Sequence, residues 1–163
     1  MPTRILEADG APRAIGPYSL AVRVERPGGS TLHCAGQLPL DPATGELVPG
    51  DIRAQTERVM RNVQAVLAAG GMGLGDVVRS HVYLVDLADF AAMNEVYGGF
   101  FQGAYPARAT IPVTSLPKGA RIEVVVEALK EAPAPAARRT APRRAARKAA
   151  GRARRKPARR PRR

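Results

Sequence analysis

The lysine and arginine residues of this chain are distributed very unevenly, and this limits which part of it can fold. Residues 132–163 hold 14 Lys and Arg, no Asp or Glu and no aromatic residue, whereas residues 1–131 hold 12 Lys and Arg against 14 Asp and Glu. A segment made almost entirely of Ala, Pro and Arg has too little apolar surface to form a core. We therefore expect one folded domain at 1–131 and a disordered basic tail at 132–163.

The apolar periodicity of residues 1–131 predicts strands and helices in alternation. The predicted order is a strand at 18–25, a strand at 31–35, a helix from 51 to 70, a strand at 77–85, a helix from 90 to 101, and strands at 108–114 and 121–129. Asp51 is expected to cap the first helix, and the run from Asp86 to Asp89 resembles a capping box for the second. This order predicts an α+β domain with both helices on one face of a sheet.

The last predicted strand alternates clearly between two kinds of side chain. One face carries only apolar residues and the other carries Glu123, Val125 and Glu127. The second face is too apolar for free solvent and too charged for a core. We therefore expect it to contact another copy of the chain.

Four short motifs occur in a fixed order along residues 1–131. They are Ile15-Gly16-Pro17-Tyr18-Ser19, Gly36-Gln37-Leu38-Pro39-Leu40-Asp41, Tyr105-Pro106-Ala107-Arg108-Ala109-Thr110 and Lys118-Gly119-Ala120-Arg121-Ile122-Glu123. In this order and spacing they resemble the RidA/YjgF family of reactive-intermediate deaminases, from about Arg4 to Leu129. The resemblance implies a chorismate-mutase-like fold with a mixed sheet, and a trimer whose sheets form a central barrel.

Arg108 and Glu123 are the predicted catalytic residues. Without the resemblance, Arg108 can be interpreted as a surface arginine paired with an acid. Glu123 can likewise be interpreted as a strand glutamate bound to Arg121 or Lys118. A guanidinium also matches both oxygens of a carboxylate, and a carboxylate can orient a water molecule and relay its proton. The resemblance implies these second roles, in which Arg108 holds a 2-imino acid and Glu123 activates water.

Four further residues are predicted to bind the substrate: Tyr18, Gly36, Asn94 and Thr110. From the residues alone, Tyr18 can pack on a sheet edge, Gly36 can mark a bulge or turn, and Asn94 can make a buried hydrogen bond that is either structural or directed to the site. The resemblance implies that Tyr18 lines the cleft, that Asn94 adjoins it, and that Gly36 and Thr110 contribute main-chain groups.

One position departs from the family pattern. Ala35 stands where several active relatives have a serine that contributes a hydroxyl group to the cleft. This puts in question the strength of ligand binding more than the type of reaction.

The reaction that the resemblance implies is the hydrolysis of 2-iminobutanoate or 2-iminopropanoate to a 2-oxo acid and ammonia. No cofactor is expected, because an imine is already electrophilic. No metal site is expected either, since His33 and His81 are the only histidines and no spacing of metal ligands is present. Cys34, the single cysteine, is predicted to be a small buried side chain.

The tail suggests a second activity. Its cations are expected to bind nucleic acid through phosphates, without reading sequence, because no aromatic residue is available to stack on bases. The alternative to a deaminase is therefore a nucleic-acid-associated or translation-modulating protein that uses the folded domain as a trimeric ligand-sensing module. No apolar run of signal-peptide or membrane-span length is present, which predicts a cytoplasmic protein. The basic tail adds the expectation that it associates with the nucleoid.

Overall fold

A computed structural model of the chain describes residues 1–132. Eight helices and strands are present in this part, besides three short 3₁₀ turns. They are β1 (Thr3–Leu6), β2 (Ala21–Arg26), β3 (Gly29–Cys34), α1 (Ile52–Ala69), β4 (Val77–Leu84), α2 (Phe90–Gly99), β5 (Ala107–Pro112) and β6 (Ile122–Glu131). The prediction of disorder at 132–163 lies outside the described residues, apart from Ala132.

All six strands belong to one mixed sheet in the order β1-β2-β3-β6-β4-β5. Neighbouring strands are antiparallel except β4 and β5, which are parallel and joined by the crossover through α2. The last strand in sequence thus lies between β3 and β4 and joins the two halves of the sheet. Both helices cover the same face, which confirms the α+β prediction.

Helix α1 forms where its sequence signals place it. The Asp51 side chain accepts hydrogen bonds from the backbone N–H groups of Arg53 and Ala54, as an N-cap should. Its apolar face is buried against the sheet: Ile52, Val59, Val63, Val66 and Leu67 are each at most 4% exposed.

Helix α2 begins differently from the prediction. Asp86 caps a 3₁₀ turn at Leu87–Asp89 through the N–H of Ala88, and α2 itself has no side-chain cap. Asp89 is instead hydrogen-bonded to the Arg121 guanidinium at 2.8 and 2.9 Å, so the predicted capping box is wrong. This paired, charge-assisted contact fixes the start of α2 to the start of β6.

Residues 1–20 were assigned incorrectly at two places. β1 was not predicted, because its four residues are largely exposed at the sheet edge and show no alternation. β2 begins at Ala21 rather than at Tyr18, because residues 15–18 form a turn in which Tyr18 N–H donates to the carbonyl of Gly16 at 2.9 Å. Pro17 also removes a backbone donor that a strand would use.

The face of the sheet opposite the helices is not covered by any other element within residues 1–132. The alternation predicted for β6 is confirmed: Ile122, Val124 and Val126 are buried under the helices. Glu123 and Val125 lie on the uncovered face and are only half-buried. The expected contact with another copy of the chain remains a prediction.

Candidate active site

Arg108 is held by one face of α2. Its register partner on β4 is the fully buried Ser80, so its side chain leaves β5 on the helix-covered face of the sheet. Asn94 Oδ1 accepts a hydrogen bond from Arg108 Nη2 at 2.6 Å. The Arg108 Cζ atom lies 4.7 Å from the ring centroid of Tyr97 and 5.8 Å from that of Phe90. Positions 90, 94 and 97 are four and three residues apart, which places them on one side of the helix.

The Arg108 guanidinium has no carboxylate partner within residues 1–132. Its one side-chain hydrogen bond is to a neutral amide, which leaves other N–H groups able to bind an anion. The predicted alternative of a surface arginine paired with an acid is therefore not observed. A cavity of about 420 Å³ adjoins the guanidinium, and it is lined by Asn94, Tyr97, Gly98, Tyr105, Pro106 and Arg108.

Glu123 lies in β6 against the backbone of Gly36. A Cβ atom at position 36 would overlap Glu123 Oε1, so any residue other than glycine would force this carboxylate to move. Partial burial raises the pKa of Glu123 above its ordinary value, because desolvation disfavours the charged form. Gly36 therefore packs closely against an acid whose pKa is raised.

Neither of the two cations that the sequence offered as partners neutralises Glu123. Arg121 is bound to Asp89, as described above. Lys118 Nζ donates to the carbonyl of Gly45 at 2.7 Å and lies 3.4 Å from Glu46 Oε1. Glu123 is therefore free of an ion pair within the described part of the chain.

Arg108 and Glu123 leave the sheet on opposite faces. Glu123 is paired with Tyr83 of β4, whereas Arg108 is paired with Ser80. Side chains of positions 80 and 83 point to opposite sides because their spacing is odd. The two residues are also two strands apart, about 10 Å at the usual strand spacing. A single copy of the chain therefore does not bring them together around one small ligand.

The remaining predicted residues divide between these two places. Asn94 contacts Arg108, although it is exposed rather than buried as expected. Thr110 lies two residues beyond Arg108 on the same face, and its hydroxyl group is buried without a hydrogen-bond partner. Tyr18 is 45% exposed and lines a separate cavity of about 710 Å³ with residues of the N-terminal segment. Its hydroxyl oxygen accepts a hydrogen bond from the N–H of Ile15 at 3.2 Å.

Two residues of this site are not among the predicted site residues. Phe90 and Tyr97 have the spacing of an apolar stripe on α2, which usually indicates core packing. Tyr97 is indeed 2% exposed, but Phe90 is 41% exposed, and both rings contact Arg108. Their spacing from Asn94 on the same helix was the only signal in the sequence.

The other reactive side chains give no second site. No group of three possible metal ligands occurs among the described residues. Burial raises the pKa of Cys34 to about 12, which agrees with the predicted role of a buried, unreactive side chain. No helix in the described part of the chain is long and apolar enough to cross a membrane.

Comparison with families and curated proteins gives a consistent result. The model of the family described as Endoribonuclease L-PSP matches residues 8–130. The chain is 53% identical to Protein DfrA of Myxococcus xanthus over 124 residues, which cover 76% of this chain and 93% of DfrA. It is 43% identical to the 2-iminobutanoate/2-iminopropanoate deaminase of Capra hircus over 127 residues, which cover 78% of this chain and 90% of that protein.

Solved structures with a similar fold are known. A structure from Thermotoga maritima has a TM-score of 0.74 and 45% identity, covering 79% of this chain and 98% of that one. RidA from the Antarctic bacterium Psychrobacter sp. has a TM-score of 0.72 and 42% identity, covering 77% of this chain and 98% of that one. Both matches stop short of the full chain, which leaves about a fifth of it without a counterpart there.

Proposed function

Because the chain belongs to the Endoribonuclease L-PSP family, the family of the RidA/YjgF proteins, we propose that it hydrolyses 2-imino acids such as 2-iminobutanoate and 2-iminopropanoate. A relative that carries the name of this deaminase is 43% identical over most of both chains. The observation that carries the proposal is the Arg108 guanidinium, which adjoins a cavity and has no carboxylate partner among the described residues. An unpaired, positioned guanidinium fits the carboxylate that every 2-imino acid has.

The proposed site is shared between two copies of the chain. Arg108, Asn94 and Thr110 would come from one copy, and Glu123 with Gly36 from its neighbour. The opposite directions of Arg108 and Glu123 support this arrangement, since one copy alone separates them. In a closed ring, each copy can contribute Arg108 to the site shared with one neighbour and Glu123 to the site shared with the other. The trimer implied by the family is such a ring.

The proposed reaction begins with the substrate carboxylate on Arg108. Glu123 of the neighbouring copy accepts a proton from a water molecule as its oxygen attacks the imine carbon, which gives a tetrahedral carbinolamine. Glu123 returns this proton to the nitrogen. It then takes the proton of the carbinolamine hydroxyl group and passes it to the nitrogen by the same relay as the C–N bond breaks, so that the 2-oxo acid and ammonia leave. Main-chain groups at Gly36 and Thr110 would hold the imine, and Tyr18 would close the cleft. Positioning and one proton relay suffice because the imine is already electrophilic.

The test is a coupled assay in which threonine dehydratase generates 2-iminobutanoate and semicarbazide competes for it. The wild-type chain should suppress semicarbazone formation, and Arg108→Ala should abolish the suppression. Arg61→Ala is the matched control, because Arg61 is an exposed arginine paired with Glu57 on α1. Full activity in Arg108→Ala with a folded protein would remove Arg108 from the proposed mechanism.

A second candidate function concerns residues 132–163, which lie, apart from Ala132, outside the described residues. Their 14 cations and lack of acids favour binding to the phosphates of nucleic acid, in addition to catalysis or in place of it. Three such segments in a trimer would add avidity if one polymer reached several of them.

This candidate is tested with the chain shortened after Glu131. If the chain is a deaminase with an added nucleic-acid-binding segment, the shortened chain should keep near-normal turnover. It should no longer bind DNA and RNA. The affinity of the full chain should also fall steeply as salt is raised. Binding that does not change with salt, or no binding at all, would contradict the electrostatic role.

A further inference from the structure

Tyr97 lies directly beneath the guanidinium of Arg108, and its ring is 2% exposed. The ring also packs against Phe101, with 4.9 Å between the ring centroids. Phe101 is itself 8% exposed. The ring of Tyr97 therefore has little freedom to move, and it presents one face to a cation that the enzyme uses.

The contact between Tyr97 and Arg108 is a cation–π contact rather than an ion pair. Burial raises the pKa of Tyr97, and it outweighs the opposing effects of the Ser80 hydroxyl and of the Arg108 charge. The phenol therefore stays neutral at neutral pH. A neutral aromatic ring attracts a guanidinium through the negative potential of its face, and the attraction increases when the pair is shielded from water.

The hydroxyl group of Tyr97 is also in an unusual place. It is buried without a well-formed hydrogen bond, as are the neighbouring Ser80 hydroxyl and the hydroxyl of Thr110. Ser80 is the register partner of Arg108, and Thr110 pairs with the next inward-facing position of β4. These three buried hydroxyl groups thus form no hydrogen-bonded network within the described residues, although buried polar groups usually have partners.

We infer that Tyr97 is a positioning residue for Arg108, and that the face of its ring, rather than its hydroxyl group, sets where the guanidinium meets the substrate carboxylate. Asn94 fixes one nitrogen of the guanidinium, and the ring fixes the plane in which the others lie. The expected effects on substrate binding and KM rest on the proposed function. The expected effect on the position of the Arg108 guanidinium does not. Tyr97 itself makes no contact with the reacting atoms in this account.

The experiment compares three variants by affinity for 2-oxobutanoate, KM for 2-iminobutanoate, and the side-chain NMR signals of Arg108, assigned with Arg108→Lys. Tyr97→Phe keeps the ring and should change affinity by less than about twofold, whereas Tyr97→Leu should weaken binding roughly tenfold, largely in KM. In Tyr97→Leu the Arg108 signals should also lose most of their ring-current shift, because only the more distant Phe90 ring remains. Met93→Ala, a fully buried position of the same helix, is the control and should leave binding and the Arg108 signals unchanged.

A second replacement keeps the inference testable if Tyr97→Leu does not fold. Pentafluorophenylalanine at position 97 has nearly the shape of phenylalanine but an inverted ring potential, so it should weaken binding relative to Tyr97→Phe. Equal binding by these two proteins, or equal losses in Tyr97→Leu and Met93→Ala, would overturn the inference. If the wild-type chain neither binds 2-oxobutanoate nor deaminates, the proposed function fails. The Arg108 signals then decide the inference: a ring-current shift that is unchanged in Tyr97→Leu overturns it.

Discussion

At Gly36 the missing side chain is what makes room for the Glu123 carboxylate. Gly36→Ala would place a methyl group on Glu123 Oε1, and the acid would have to turn away. Because this position does not require a positive φ, the backbone itself should tolerate alanine. We expect Gly36→Ala to lower kcat/KM at least tenfold while the protein stays folded, as judged by its circular dichroism spectrum.

Gly73→Ala is a suitable control for that substitution, since nothing lies within 4 Å of a Cβ built there. It should leave kcat/KM unchanged. Equal activity of Gly36→Ala and the wild-type chain would show that the position of the Glu123 carboxylate does not matter to the reaction.

The raised pKa of Glu123 has a consequence for the pH dependence of activity. In the proposed mechanism Glu123 must be ionised to accept a proton, so kcat/KM should fall as the pH falls through the raised pKa, at a higher pH than for an exposed glutamate. The profile should be measured alongside that of Glu57→Gln, an exposed acid of α1 that should not alter it. An acid limb at the ordinary position of a glutamate would contradict the role of Glu123.

The raised pKa of Glu123 also predicts how the free energy of unfolding depends on pH, with a sign opposite to that expected for an acid in a salt bridge. The pKa of Glu123 is higher in the folded than in the unfolded chain, so its favourable contribution is present at low pH and is lost as the pH rises through the raised value. Glu123→Gln should therefore be at least as stable as the wild type at neutral pH. Urea unfolding at fixed protein concentration measures this, and a clear loss of stability would mean that Glu123 is paired.

The elements are held in place by contacts of unequal strength. The Asp89–Arg121 pair joins α2 to β6, and Asp89 is 8% exposed. Asp89→Asn should lower the free energy of unfolding by about 1–2 kcal/mol, since it removes a partly buried charge partner. Glu95→Gln, which breaks an exposed pair with Arg53, should cost less than about 0.5 kcal/mol. Equal midpoints for the two variants in urea would contradict this ranking.

The elements also show where sequence reasoning succeeds. α1 was predicted with its cap because Asp51 and the spacing of its apolar residues are local signals. β6 was predicted because one face is buried under the helices, which leaves a clear alternation. β1 carries no such signal, since it is short and exposed, and its pairing with β2 depends on the rest of the sheet.

The candidate site was predicted less completely than the fold, because it depends on contacts between residues that are far apart in the sequence. The motif around Arg108 identified the cation, but an aromatic stripe on a helix usually indicates core packing. Only the fold shows that Phe90 and Tyr97 face Arg108 rather than the interior alone. Likewise, the distance between Arg108 and Glu123 follows from the position of β4 between their strands, and their opposite faces follow from the registers of the two pairings. The sequence states neither.

At the scale of the whole molecule, the central claim is that the active site needs two copies of the chain. Arg108 and Glu123 are both present in each copy, yet each would act in a different site. Two inactive variants can therefore complement each other, provided that one keeps the arginine and the other keeps the glutamate. Few other arrangements of catalytic residues allow this result.

The most direct measurement is the deaminase activity of a mixture in which Arg108→Ala and Glu123→Gln are co-expressed in equal amounts. Each variant alone should be inactive. Random assembly into a closed ring gives about a quarter of the sites an intact Arg108 and an intact Glu123, so the mixture should recover about a quarter of the wild-type activity. A mixture as inactive as its components would contradict the shared site and place both residues in one copy.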